Sequence, residues 1–225
     1  MVKKDEKKDQ WREIQRDILE NKTFLRTVKD HNELKDFAAR HGIDTGLKFG
    51  AFKSILRTIG VDYDALREAT VAEQDKEFRA ALEALTGQAP VVWLWAGASL
   101  DRVGQGRFAV VDEDEEALWF GKLFETDRTF VPGDLLTAEQ SAAEKAIFIA
   151  RKCFDEAGVK AGVLMLATTC PDIDRDALAE RAAHVGIRLV LEITDDDRAV
   201  CMAEVPGYRR WQDSDLGSAV SGCGN

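Results

Sequence analysis

Histidine and paired cysteine are what this chain has least of. Three histidines stand at 31, 41 and 184, and four cysteines at 153, 170, 201 and 223, with no Cys-x-x-Cys pair. A structural zinc site needs about four such ligands brought together, so the sequence argues against a metal of that kind. Unpaired thiols fit a reducing, cytoplasmic setting. No apolar run approaches the roughly 18 residues of a membrane span; the longest, around Val91 to Leu100, contains Gly97 and Ser99. The opening Met1-Val-Lys-Lys-Asp-Glu-Lys-Lys-Asp9 lacks the apolar centre of a secretory signal. No Gly-x-x-x-x-Gly-Lys-Ser/Thr loop occurs, and Ser99 has neither a Gly-x-Ser-x-Gly elbow nor a visible histidine partner.

What is present is a 225-residue chain, 45% hydrophobic and 32% charged, with a net charge of -10. Those proportions are ordinary for a folded chain with an ample core. The charge is unevenly spread. Residues 1–88 hold 17 basic and 17 acidic side chains, leaving 14 basic and 24 acidic ones in the other 137. That asymmetry predicts two parts with different jobs: a helical domain over 1–88 and an α/β domain over 89–206, followed by a flexible tail over 207–225. An acidic sheet domain is a poor general binder of phosphate backbones and suits a protein partner better.

Residues 1–10 read as a solvated tail. Trp11, Ile14, Ile18, Leu19, Phe24 and Val28 are spaced for helix with a break at Asn21. Glu33–His41 predicts a second helix stopped by Gly42, Lys48–Ile59 a third stopped by Gly60, and Glu73–Leu85 a polar amphipathic one. Asp62 or Asp64 opens another between them. Thr86-Gly-Gln-Ala-Pro90 is the punctuation expected of a domain boundary. From Glu33 to Ile59 the order helix, glycine-containing turn, helix reads as a helix-turn-helix. Lys48, Lys53 and Arg57 sit there with no acid between Thr45 and Val61, as a DNA-reading face would. A helical bundle with solvated lysines has the same pattern.

Beyond Pro90 the period changes. Val91–Ala96, Arg107–Val111 and Ala117–Phe124 read as three strands joined by turns, an antiparallel meander. Ala138–Ala157 carries apolar residues at 143, 146, 147, 150, 154 and 157, a helix with one buried stripe. Gly162–Ala167 is a strand apolar on both faces; Pro171 and Asp174 open a helix through His184; Ile187–Ile193 is the next strand, and Ala199–Val205 reads as a last one. Parallel strands joined by a helix require such a crossover.

This order, and three local segments, resemble the ribonuclease H-like fold. Trp95-Ala-Gly-Ala-Ser99 leading into Arg107–Val111 resembles that family's first two strands; Ser141–Ala150 its first helix, where a Glu faces the active site; and Leu164–Thr169 the strand that ends in a catalytic Asp. The resemblance covers about residues 90–193 and implies an α/β, mixed-sheet domain after an all-α one. Relatives cut phosphodiesters with carboxylates that hold two divalent metals. The matching positions here are Ala96, Glu144 and Thr168 or Thr169, so one carboxylate of the set is kept. The expectation is therefore a non-catalytic protein without a cofactor, contacting nucleic acid or protein. The alternative is a nuclease using Mg2+ or Mn2+ through Glu144, Asp101 and Asp172. A weaker resemblance links Asp112 and Phe120-Gly-Lys122 to PD-(D/E)XK nucleases, with Phe120 where an acid belongs, and Gly162–Val190 to Mrr-like enzymes. A third reading is a small-anion sensor using the loops after Ala96 and Ala167, the latter running into a helix N-terminus beside Cys170. Trp211, in Tyr208-Arg-Arg-Trp211, is a candidate for stacking on a partner or a single strand.

Overall fold

The computed structural model describes residues 2–85, 87 and 89–222, with side chains from residue 11 onward. Among these the chain is mixed α/β, helices first and a mixed sheet after, as the hydrophobic periods predict. Two compact units divide it, residues 1–74 and 75–225. Thr86 and Gln88 of the expected boundary segment, and the last three residues of the tail, lie outside the described residues.

The first unit is built from α1 (Val2–Glu20), α2 (Lys22–Thr27), α3 (His31–Arg40), α4 (Gly46–Thr58) and the start of α5 (Tyr63–Glu83). The expected break at Asn21 is there. Residues 2–10, expected as a tail, continue α1. Asp30 caps α3 by accepting from Asn32 N–H. Gly42 (φ +65°) then turns the chain where the Ile43 N–H bonds back to the Ala38 carbonyl. Ile18, Leu25, Leu34, Phe52, Ile55 and Leu56 meet in a buried core. The two helices expected between Asp62 and Leu85 are one, because no glycine or proline interrupts Tyr63–Glu83.

In the second unit, β1 (Val91–Leu100), β2 (Gly106–Val111) and β3 (Ala117–Lys122) form the expected meander, and α6 (Leu135–Glu156) leads to β4 (Gly162–Thr168). After α7 (Arg175–Ala183) comes β5 (Ile187–Ile193). The strand order is β3-β2-β1-β4-β5, with β1–β4 and β4–β5 parallel. α6 lies on one face through Ala138, Ala142, Ala143, Ala146 and Ala150, small residues that let the helix axis approach the sheet closely.

Residues 199–205 correct the sequence reading. They form a helix, α8 (Arg198–Glu204), and not a last strand. Asp196 Oδ1 accepts from Arg198 N–H at its start, and Ala199 and Ala203, one turn apart, face Ala109 and Val111 of the sheet. The approach is so close that a Cβ on Gly97 of β1 would stand 2.7 Å from Val200 N. Arg107 holds the far end of α8, donating to the Ala203 carbonyl at 2.8 Å and also to Val205 and Gly207. Past Pro206, the segment read as a tail lies against the sheet. Arg209 bridges Phe120 on the free side of β3, Leu216 is buried, and β6 (Val220–Ser221) pairs with Val91 and Val92.

Candidate functional site

The three carboxylates of the nuclease reading are each occupied elsewhere or apart. Glu144, on α6, accepts from the Thr129 hydroxyl at 2.8 Å and pairs with Arg181 at 3.1 Å. Asp101 accepts from the Val103 and Gln105 N–H groups, both at 2.9 Å, and so fastens the β1–β2 turn. Asp172 is exposed in the loop after β4. Among the described residues no three His, Cys, Asp or Glu side chains gather in a metal-binding group. Asp112 and Lys122 stand at opposite ends of the β2–β3 ladder, which begins at Val111–Ala117 and ends at Arg107–Lys122. Five residues of strand separate them by roughly 16 Å, too far for one site.

The loop after Ala167 is also filled. Thr168 Oγ accepts from Cys170 N–H, and Asp174 caps α7 by accepting from Ala177 N–H at 3.0 Å. That carboxylate holds the place an anion would take. Burial pushes the Cys170 thiol pKa up, opposite to the lowering that a helix N-terminus gives.

In the first unit, Lys53 and Arg57 converge on one carboxylate that the sequence places outside their acid-free window. Lys53 Nζ is 2.6 Å from Asp64 Oδ1 and Arg57 NH2 is 2.9 Å from Asp64 Oδ2. The Lys53 hydrogen bond, with both cations nearby, holds the Asp64 carboxyl below its ordinary pKa. Lys48 donates to the Gly42 carbonyl at 3.3 Å. Lys53 and Arg57 on the basic face of α4 are thus neutralised from the first turn of α5.

Two features escaped the sequence reading. Glu139, in the first turns of α6, is 5% exposed, and one of its carboxylate oxygens has no partner among the described residues. Burial, opposed by the Ala98 N–H, pushes its pKa up to about 7. The signal was there: Glu139 falls three and four residues before Ala142 and Ala143, on the buried stripe.

The second is a cleft of about 670 Å3 beside β3. Its floor is Phe108 and Trp119, edge-to-face at 5.0 Å. Lys145 Nζ lies 4.9 Å from the centroid of each ring while pairing with Asp127 at 2.6 Å. At the rim stand Phe124 and Tyr208, 62% and 71% exposed. Lys122 and Arg210 are exposed there with no carboxylate partner among the described residues, whereas Arg209 pairs with Glu116 at 2.6 Å. A smaller depression of about 320 Å3 shares Trp119, Asp127 and Lys145 with the cleft and adds Arg128, Phe148 and Trp211. Phe148 joins the aromatic row at 5.8 Å from Trp119 and 5.5 Å from Trp211. Exposed rings interleaved with free cations can stack bases and hold phosphates at once. No protein-family model matches the chain, and no curated protein matches it.

Proposed function

We propose that this is a non-catalytic nucleic-acid-binding protein whose contact is the aromatic cleft beside β3, taking a single strand. The observation that carries this is the meeting in one cleft of exposed Phe124 and Tyr208 with Lys122 and Arg210, which have no carboxylate partner among the described residues. Elsewhere in this acidic chain, Lys53 and Arg57 are already neutralised. A lone strand presents both π-faces and phosphates to such a rim; a duplex hides its bases. The order of strands and helices from Val91 to Ile193 is the one the ribonuclease H-like resemblance anticipates, which supports reading the second unit as a relative of that fold with its acids replaced at Ala96 and Thr168.

Anisotropy of a labelled oligothymidylate or oligouridylate tests the proposal. Binding is expected to weaken with salt and to weaken further in Lys122→Ala and Arg210→Ala, each lowering the log–log salt slope by about 0.7. Phe124→Ala and Tyr208→Ala should each cost about 1–3 kcal/mol with the slope kept. Absence of binding at about 10 μM in about 50 mM salt overturns the reading. Cleavage of the strand in Mg2+ or Mn2+, abolished by Glu144→Gln, replaces it with the nuclease alternative.

A further inference from the structure

The two edges of the sheet are treated differently. At β3 the edge is occupied by the Phe120–Arg209 bridge, with hydrogen bonds of 3.3 and 3.0 Å. At β5, the other end of the strand order, no further strand pairs among the described residues. Thr194 N–H bonds to the Thr168 carbonyl of β4, and the Gly186 carbonyl accepts from Gly162 N–H. Even-numbered residues of β5 therefore turn their amides inward, and Ile187, Leu189, Leu191 and Ile193 turn theirs outward. The even-numbered side chains, Arg188, Val190 and Glu192, are all exposed on the face opposite the main core. Val190, 41% exposed, continues the cross-strand row Trp93–Met165. On that face α8 lies over β1, β2 and β3.

We propose that β5 is a homodimer contact, pairing antiparallel with β5 of a second copy about a two-fold axis at Val190. The charges choose both the partner and the register. Centred on Val190, the pairing sets Arg188 of each copy opposite Glu192 of the other, and Val190 opposite itself. A dyad at Arg188 or at Glu192 would set like charges face to face. A dyad at Leu189 or Leu191 would set a charge against Val190. The same centring brings the outward amides of Leu189 and Leu191 together, with about eight main-chain hydrogen bonds in all. The Val190 and Arg188–Glu192 positions then become the closely spaced, non-hydrogen-bonded pairs in which side chains touch best. Arg188 donates to the Leu82 carbonyl at 3.1 Å, and its exposed guanidinium has further donors for Glu192.

Sedimentation or light-scattering mass of the full chain, from about 5 to 100 μM, tests this. The chain is expected to dimerise. Arg188→Glu and Glu192→Arg should each weaken the dimer by about tenfold or more, because the symmetry doubles each reversal. The double variant R188E/E192R restores opposite charges and should restore the dimer. Circular dichroism checks that each variant is folded. A wild-type monomer at about 100 μM overturns the proposal. So does a dimer indifferent to both reversals, or a folded double variant that fails to recover.

Discussion

Glu139 shows how far one residue can be read. Its place on the buried stripe of α6 is legible from the Ala142 and Ala143 spacing, yet nothing in the sequence says that one oxygen would lie without a partner among the described residues. The consequence is a proton linkage. With its folded pKa raised from 4.5 to about 7, the carboxyl stays protonated in the native state where the unfolded chain has already ionised. The cost of ionising it in place is absent below about pH 4.5, grows between pH 4.5 and 7 and is complete above. Glu139→Gln should therefore leave stability at pH 4.5 nearly unchanged and raise it at pH 8, on the order of 1–3 kcal/mol. Urea unfolding at the two pH values reads the difference; equal shifts at both would show that the charge is not what matters. Glu144, Asp101 and Asp172 illustrate the opposite case. Their residue type was legible, but their partners Thr129, Arg181 and the Val103 and Gln105 amides were not, since those contacts depend on how loop and helix pack.

At the scale of elements, periodicity served wherever an element had one wet and one dry face. The meander, α6, α7 and β5 follow from it, whereas β4 was legible as a short unbroken apolar run between Gly158 and Pro171. Periodicity failed at α8, seven residues long with Ala199-Val-Cys-Met-Ala203 apolar throughout, so periods of two and of 3.6 cannot be told apart. The deciding feature is at a distance: Gly97, whose missing side chain leaves room for the helix backbone. Gly97→Ala is expected to destabilise the second unit by about 1–3 kcal/mol, since the methyl would meet Val200 N and the carbonyl carbon of Ala199, at 2.7 and 2.9 Å. Chemical denaturation measures it, and a neutral substitution would mean that α8 yields easily.

At the scale of the molecule, the uneven charge was visible from composition, but where cations remain free was not. Asp64 is seven residues beyond Arg57 in sequence and 2.9 Å away in space, so the acid-free window around α4 has no counterpart on the surface. Asp64→Ala should release Lys53, leave Arg57 only its longer 3.9 Å approach to Asp62, and raise the affinity for random duplex DNA about threefold to tenfold in low salt, with a steeper salt slope. Electrophoretic mobility shift reads this, and an unchanged affinity would remove α4 from consideration as a DNA-facing helix. Of the cleft beside β3 only Tyr208-Arg-Arg-Trp211 was legible, as a stacking segment; its meeting with Lys122 and Lys145 was not, because they come from separate stretches of the chain.

The short ladder between Val92 and Val220 has a bearing on how the protein is made. β2 flanks β1 only from Trp95 onward, and Val220–Ser221 fills the space beside Val91 and Val92 that it leaves. A nascent chain still on the ribosome thus carries its central strand half-dressed until residues 216–221 have emerged, and Leu216, wholly enclosed in the finished fold, cannot dock before then. Chains stalled or truncated before that point would show a sticky strand to one another.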